Sequence, residues 1–216
     1  MQISTDLATI RKDYRLQSLS EEDVDTNPIK QFEKWFQQAL ASGIEEPNAM
    51  TLATSTTDGK PSARIVLLKG IKDNGFVFFT NYESKKGKQI HDNPFAGIVF
   101  FWKELERQVT IQGEIEKVSE QESDEYFASR PLESRIGAWS SPQSQVIENR
   151  EVLEKNVAYY SDKYQSQNIP RPSHWGGYIL MPTLIEFWQG GAGRLHDRLQ
   201  YSIDATNSWI IKRLAP

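Results

Sequence analysis

Asp58-Gly59 and Asn74-Gly75 each separate two short runs rich in β-branched and aromatic residues. Such dipeptides supply the left-handed backbone that a tight turn between antiparallel strands requires. The pattern predicts strands over residues 50–55, 62–69, 76–80, 95–103 and 106–118, with turns at 57–59 and 72–75. In the last run Val109, Ile111 and Ile115 alternate with Gln108, Thr110, Gln112, Glu114 and Glu116, so one face is apolar and one polar. Further strand pattern follows at 177–181, 184–188, 198–202 and 209–212.

Helical spacing appears elsewhere. Asn27-Pro28 reads as a cap and first helical residue, and Ile29, Phe32, Phe36, Ala39 and Leu40 form an apolar stripe that ends near Gly43. Residues 83–93 suit a short lysine-bearing helix. Ser119 and Glu122 form a capping box for a helix to about Arg130, Pro131 opens another, and 148–165 carry Leu153, Val157, Tyr160 and Tyr164 in register. About seven or eight strands therefore succeed one another at hairpin spacing, interrupted by helices but not alternating with them. That disfavours a parallel doubly wound sheet and favours an antiparallel sheet closing as a barrel.

At 216 residues the length suits one domain. Residues 1–26 are polar and read as a flexible segment, and 27–216 as a single domain with helical insertions. The net charge of −4 argues against generic binding of nucleic acid or an anionic membrane. The absence of cysteine removes disulfides, thiolate metal sites and cysteine nucleophiles. No secretory leader or bilayer-length apolar run is visible, so the expected location is the cytoplasm. Gly191-Ala-Gly193 is not followed by a dinucleotide fingerprint, and no P-loop, H-E-x-x-H or G-x-S-x-G motif occurs. His91, His174 and His196 are far apart in sequence, and no metal site is expected.

Three clusters carry possible chemistry. Arg64 and Lys69 lie five apart on one strand, so they point to opposite faces, with Ser84-Lys85-Lys86 nearby in sequence. They suit two anions, or they merely bracket a buried strand and solvate a helix, and pattern alone favours the latter. Tyr126 and Arg130 share a helix face, with Ser134 downstream. A phenol, a guanidinium and a hydroxyl suit a phosphate, at roughly 1.5–3 kcal/mol per charge-assisted bond. A surface Tyr–Arg stack is the plainer reading of the same pattern. In the third cluster, Trp188 to Arg198, an extended chain would project Arg194, His196 and Arg198 from one face. Three such groups repel one another unless an anion or an electron-rich ring lies among them, and the glycines let a ligand approach the backbone. Here the functional reading is the better one, against an ordinary hairpin loop.

Eight blocks, in order, resemble the pyridoxine (pyridoxamine) 5′-phosphate oxidase family: residues 64–69 (RIVLLK), 106–109 (ERQV), 126–131 (YFASRP), 134–139 (SRIGAW), 175–177 (WGG), 185–190 (IEFWQG), 194–198 (RLHDR) and 213–216 (RLAP). The resemblance implies a split β-barrel homodimer with FMN at the subunit interface. It implies oxidation of pyridoxine 5′-phosphate or pyridoxamine 5′-phosphate by oxygen to pyridoxal 5′-phosphate and hydrogen peroxide, with hydride passing from substrate C4′ to flavin N5. It implies an FMN set of Arg64, Ile65, Val66, Leu67, Leu68, Lys69, Phe79, Thr80, Lys85, Lys86, Gln108, Gln143, Ser144, Trp188 and Arg198. Lys69, Tyr126, Arg130 and Ser134 match the substrate-phosphate set. Arg194 and His196, with Leu195 between them, match the catalytic groups at the pyridine ring, and Arg11 and Tyr14 match a segment covering the substrate. Phe79 replaces a frequent Tyr. Lys85 replaces a frequent Arg, which loses the planar fork but keeps the charge. The rivals are a flavin reductase or a non-catalytic flavin-binding protein of the same fold, and a barrel that binds single-stranded nucleic acid on its aromatic residues.

Overall fold

Asn27 does what its position in the sequence predicts. Its side-chain oxygen accepts from the backbone N–H of Ile29 at 2.8 Å and of Lys30 at 3.3 Å, and Pro28 opens helix α1 (Pro28–Ala41). The computed structural model describes residues 9, 12–165 and 168–216. Among them are four further helices: α2 (Lys85–Asp92), α3 (Glu120–Ser129), α4 (Leu132–Ser140) and α5 (Glu151–Tyr164). The strands are β1 (Ala49–Ser55), β2 (Pro61–Leu67), β3 (Gly70–Lys72), β4 (Gly75–Asn81), β5 (Phe95–Trp102), β6 (Arg107–Lys117), β7 (Trp175–Gln189), β8 (Asp197–Ile203) and β9 (Trp209–Leu214). Their order is β2-β1-β5-β6-β7-β4-β3, with β8 on β7 and β9 on β8.

The chain divides into two compact units. A terminal unit comprises the residues up to Pro47 with Val99–Ile111 and Thr183–Pro216, and a central unit comprises Asn48–Ile98 and Gln112–Pro182. In the central unit β1 and β2 form an antiparallel hairpin with Leu52 opposite Arg64, and β4 pairs antiparallel with Trp175–Leu180 of β7. Met50, Leu52, Phe76, Phe78 and Ile98 are fully buried there. In the terminal unit residues 184–189 of β7 pair with β8, and β8 pairs with β9. Of the predicted stripe on α1, Ile29, Phe32 and Ala39 are buried, Phe36 is half-buried and Leu40 is exposed, while Trp35, outside the predicted stripe, is buried with them. Phe32 packs on Phe100 at 5.0 Å between centroids, and Trp35 meets Phe187 edge-on at 5.2 Å. Each such side chain contributes about 1.5–3 kcal/mol by leaving water.

Three details depart from the sequence-based expectations. β2 ends at Leu67, so Lys69 lies beyond it and not on the opposite face of Arg64's strand. Residues 177–181 and 184–188 belong to one strand rather than two. Pro182, which lacks an N–H, falls between the stretch that pairs with β4 and the stretch that pairs with β8, so it costs neither ladder a bond. Arg194 is not on an extended strand. Residues 192–194 form a 3-10 turn with Arg194 at φ 65°, and β8 starts only at Asp197.

Candidate active site

A cavity of about 480 Å³ lies in the central unit. Arg64, Ile65, Val66, Leu67, Lys69, Phe79, Thr80, Lys86, Tyr126, Arg130, Ser134 and Gln143 all line it. The two phosphate-binding groups expected from the sequence thus share one wall system. Alternation along β2 brings Arg64 half-buried to this side, where its Nη1 donates to the Leu52 carbonyl at 3.1 Å and to Thr54 Oγ1 at 2.6 Å. Lys86, in the first turn of α2, is buried. Its Nζ donates to Gln143 Oε1 at 2.9 Å, Thr80 Oγ1 at 3.0 Å and Ser84 Oγ at 3.4 Å. All of these acceptors are neutral. Burial, with Arg64 as a like charge, pushes Lys86 down to about 8. Helix α2 can approach this closely because residue 87 is glycine: a Cβ there would lie 2.0 Å from the Tyr82 carbonyl oxygen.

The second group is built on α3. Tyr126 stacks on Phe79 at 3.9 Å, and Phe79 stacks on Trp175 at 5.6 Å. The Arg130 guanidinium lies 4.6 Å over the Trp175 ring, and its Nη1 is buried with no hydrogen-bond partner. Burial pushes Arg130 below the ordinary arginine range. An orphaned donor beside neutral walls fits an incoming anion, because leaving it unmet costs about 1–3 kcal/mol or more. Trp175 was not singled out as a site residue from the sequence. The available signal was its place before Gly176-Gly177, where a Cβ at Gly177 would lie 2.7 Å from the Phe79 ring.

A second cavity, of about 570 Å³, lies in the terminal unit and is lined by Lys12, Asp13, Tyr14, Gly191, Gly193, Arg194 and His196. Tyr14 meets Trp188 edge-on at 5.7 Å and His196 at 6.0 Å, and Trp188 lies 4.6 Å from His196. His196 Nδ1 accepts from the Gly191 N–H at 3.1 Å, which leaves the ring proton on Nε2.

The remaining predicted residues are dispersed. Leu68, just beyond β2, is buried at 6% exposed, and its backbone N–H and carbonyl are both taken by Asn48. Lys85 and Ser144 are exposed, and Leu195 is 75% exposed. Gln108 donates to Thr110 on its own strand at 3.3 Å. Arg198 does not join Arg194 and His196 as an unpaired cation. It makes a two-pronged ion pair with Glu186, at 2.8 and 3.0 Å, and donates to the Ala215 carbonyl. Arg11 lies outside the described residues.

These elements place the chain in the split-barrel fold class. PhzG from Burkholderia lata, solved in complex with tetrahydrophenazine-1-carboxylic acid, superposes with a TM-score of 0.88 at 30% identity, covering 95% of this chain and 100% of that one. A pyridoxamine 5′-phosphate oxidase-related, FMN-binding protein of Nostoc punctiforme has the same fold, with a TM-score of 0.71 at 17% identity over 89% of this chain and 100% of that one. Residues 36–164 match the pyridoxamine 5′-phosphate oxidase family, and 175–216 match the pyridoxine 5′-phosphate oxidase C-terminal dimerisation region. A pyridoxine/pyridoxamine 5′-phosphate oxidase of Trichormus variabilis is 60% identical over 97% of this chain and 98% of its own. One of Cupriavidus pinatubonensis is 55% identical over 98% and 100%. The chain belongs to the pyridoxamine 5′-phosphate oxidase family. No helix among the described residues is long and apolar enough to cross a membrane.

Proposed function

We propose that this protein oxidises pyridoxine 5′-phosphate and pyridoxamine 5′-phosphate with molecular oxygen to pyridoxal 5′-phosphate and hydrogen peroxide, ammonia also leaving from the amine after addition of water. The observation that carries this reading is the pairing, in one cavity, of two cationic groups whose partners are neutral or missing: Arg64 with Lys86, and Arg130 with its orphaned Nη1. Two such groups suit two phosphates, one on a cofactor and one on a substrate. FMN fits the first, since a dianion relieves the repulsion between Arg64 and Lys86. When bound, it would supply the two-electron redox chemistry, with the substrate C4′ carbon as hydride donor, flavin N5 as acceptor and oxygen as final oxidant.

The chain's own residues supply position and charge. Arg64 and Lys86, with Thr80, Gln143, Ser144 and Lys85, hold the cofactor phosphate. The backbone of residues 65–69 meets its polar edges; Gln108, Trp188 and Arg198 are assigned to the cofactor set by the resemblance alone. Lys69, Tyr126, Arg130 and Ser134 hold the substrate phosphate, which fixes the orientation of the attached ring. By the resemblance alone, Arg194 and Leu195 are assigned to that ring, and Arg11 and Tyr14 to the segment that covers it. With Nδ1 taken by the Gly191 N–H, His196 presents Nε2–H as a donor to a ring substituent. It therefore orients the ring rather than removing its proton. A homodimer with the cofactor at the subunit interface completes the proposal, supported by the match of residues 175–216 to the dimerisation region.

Aerobic turnover of both substrates with added FMN, reading aldehyde and peroxide together, tests this. Equimolar aldehyde and peroxide are expected. Flavin reduction by a nicotinamide cofactor with no aldehyde from either substrate would assign the protein to the reductases instead.

A further inference from the structure

Glu106 is a buried carboxylate outside every set named so far. It is 2% exposed, stands at φ 53° between the 3-10 turn at Lys103–Leu105 and β6, and faces the segment that carries Tyr14. Oε2 accepts from the backbone N–H groups of Arg15 at 2.9 Å and Leu16 at 3.1 Å, and Oε1 is 2.9 Å from Lys12 Nζ. Its backbone carbonyl accepts from the Gly190 N–H at 2.8 Å. Residue 190 is tightly packed too: a Cβ there would sit 2.7 Å from Tyr14 Cβ and 3.1 Å from Glu106 Cβ. One residue thus grips both the segment bearing Tyr14 and the turn leading to Arg194 and His196.

We infer that Glu106 is a positioning residue, which clamps residues 12–16 so that Tyr14 stays seated against Trp188 and His196 beside the Arg194 cavity. The inference rests on the proposed substrate reading for its kinetic consequence, but not for its structural one. The carboxylate takes two consecutive N–H groups on one oxygen, and these fix the backbone on both sides of the Arg15–Leu16 bond. The ion pair with Lys12, a side chain 56% exposed, is the minor part. Downstream anchors are independent of Glu106. Arg107 donates to Gln17 Oε1, Leu19 N–H to Asp197 Oδ2 at 3.0 Å, and Arg213 to the Leu19 carbonyl at 3.0 Å. Asp13 Oδ1 separately accepts from the Gly193 N–H at 3.3 Å, so loss of Glu106 frees the backbone at Arg15 and Leu16 most, without detaching residues 17–19.

The test compares Glu106→Leu with Glu106→Gln in the full chain loaded with FMN. Gln keeps one oxygen able to accept both N–H groups, whereas Leu keeps the bulk and no acceptor. Trypsin needs an extended, unbonded backbone, so cleavage after Arg15 should accelerate about tenfold or more in Glu106→Leu and stay within about threefold of wild type in Glu106→Gln. KM for pyridoxine 5′-phosphate should rise about tenfold in Glu106→Leu with kcat changed less than about threefold, and FMN retention should not move. Adding Tyr14→Ala to Glu106→Leu should raise KM no further than the larger single effect, because both act through one contact. Unchanged cleavage at Arg15 in Glu106→Leu overturns the inference. So does parallel loss of kcat, FMN and thermal stability in both variants, which would make Glu106 a general structural residue. If wild type turns over neither substrate, the substrate reading fails, and the cleavage comparison still decides the clamp.

Discussion

Lys86 ties the cavity to pH. Burial pushes its ammonium from 10.5 down to about 8, and Arg64 adds to the shift. Between these values the unfolded chain binds more protons than the folded one, so stability of the ligand-free protein rises with pH from about 8 to about 10.5. Phosphate binding runs the other way, because it needs the charged lysine. The second ionisation of a phosphate monoester lies near pH ~6, so the ligand's own charge is constant above neutrality. We expect FMN affinity, read by quenching of flavin fluorescence, to fall by up to about tenfold per pH unit above about 8. Lys86→Arg should flatten that fall. A wild-type profile flat from pH 7 to 10 would remove Lys86 from the phosphate site. At this scale the sequence showed which residue types were present but not which were buried. By pattern alone Lys86 read as a solvated helix face, although the resemblance put it in the cofactor set, and Glu106 read only as the first residue of a strand, because burial is a property of the fold around a residue. Arg198 read as one of three neighbouring cations, and only the β7–β8 register reveals Glu186 as its counterion.

The strands were legible through a Gly-containing turn, as in the β1–β2 hairpin, or through apolar alternation, as in β6. Helix α1 was legible through its cap and stripe. β3, at three residues, is too short to show a period. β7 hid its length because a proline inside a strand pattern normally ends it. Here the partner strand accommodates the proline from the other side. A Cβ on Gly113 of β6 would lie 2.0 Å from the Met181 carbonyl oxygen and 2.9 Å from Pro182 Cα, both backbone atoms that cannot swing aside. Gly113→Ala should therefore destabilise the protein by about 1–3 kcal/mol or more, read as a lower urea midpoint at unchanged slope. A midpoint equal to wild type would show that β6 and β7 can separate at Pro182 without cost.

For the molecule as a whole, a ligand that binds only the folded chain stabilises it by mass action. At one hundred times its dissociation constant FMN should contribute about 2.7 kcal/mol, which raises the melting temperature of a chain this size by about 5–10 °C. Riboflavin, which lacks the phosphate, should raise it far less at equal concentration. Equal shifts would mean that Arg64 and Lys86 are not what holds the cofactor. The terminal unit has a further consequence, for how the protein is made. Tyr201 donates to the Asp25 carbonyl across 176 positions, and Arg213 reaches Leu19 across 194. During translation α1 leaves the ribosome with its apolar stripe exposed, long before β8 and β9 exist to cover it. Synthesis that stalls late should thus yield a nascent chain that is sticky at its beginning, bound by chaperones through Phe32 and Trp35, even where the central unit has already closed.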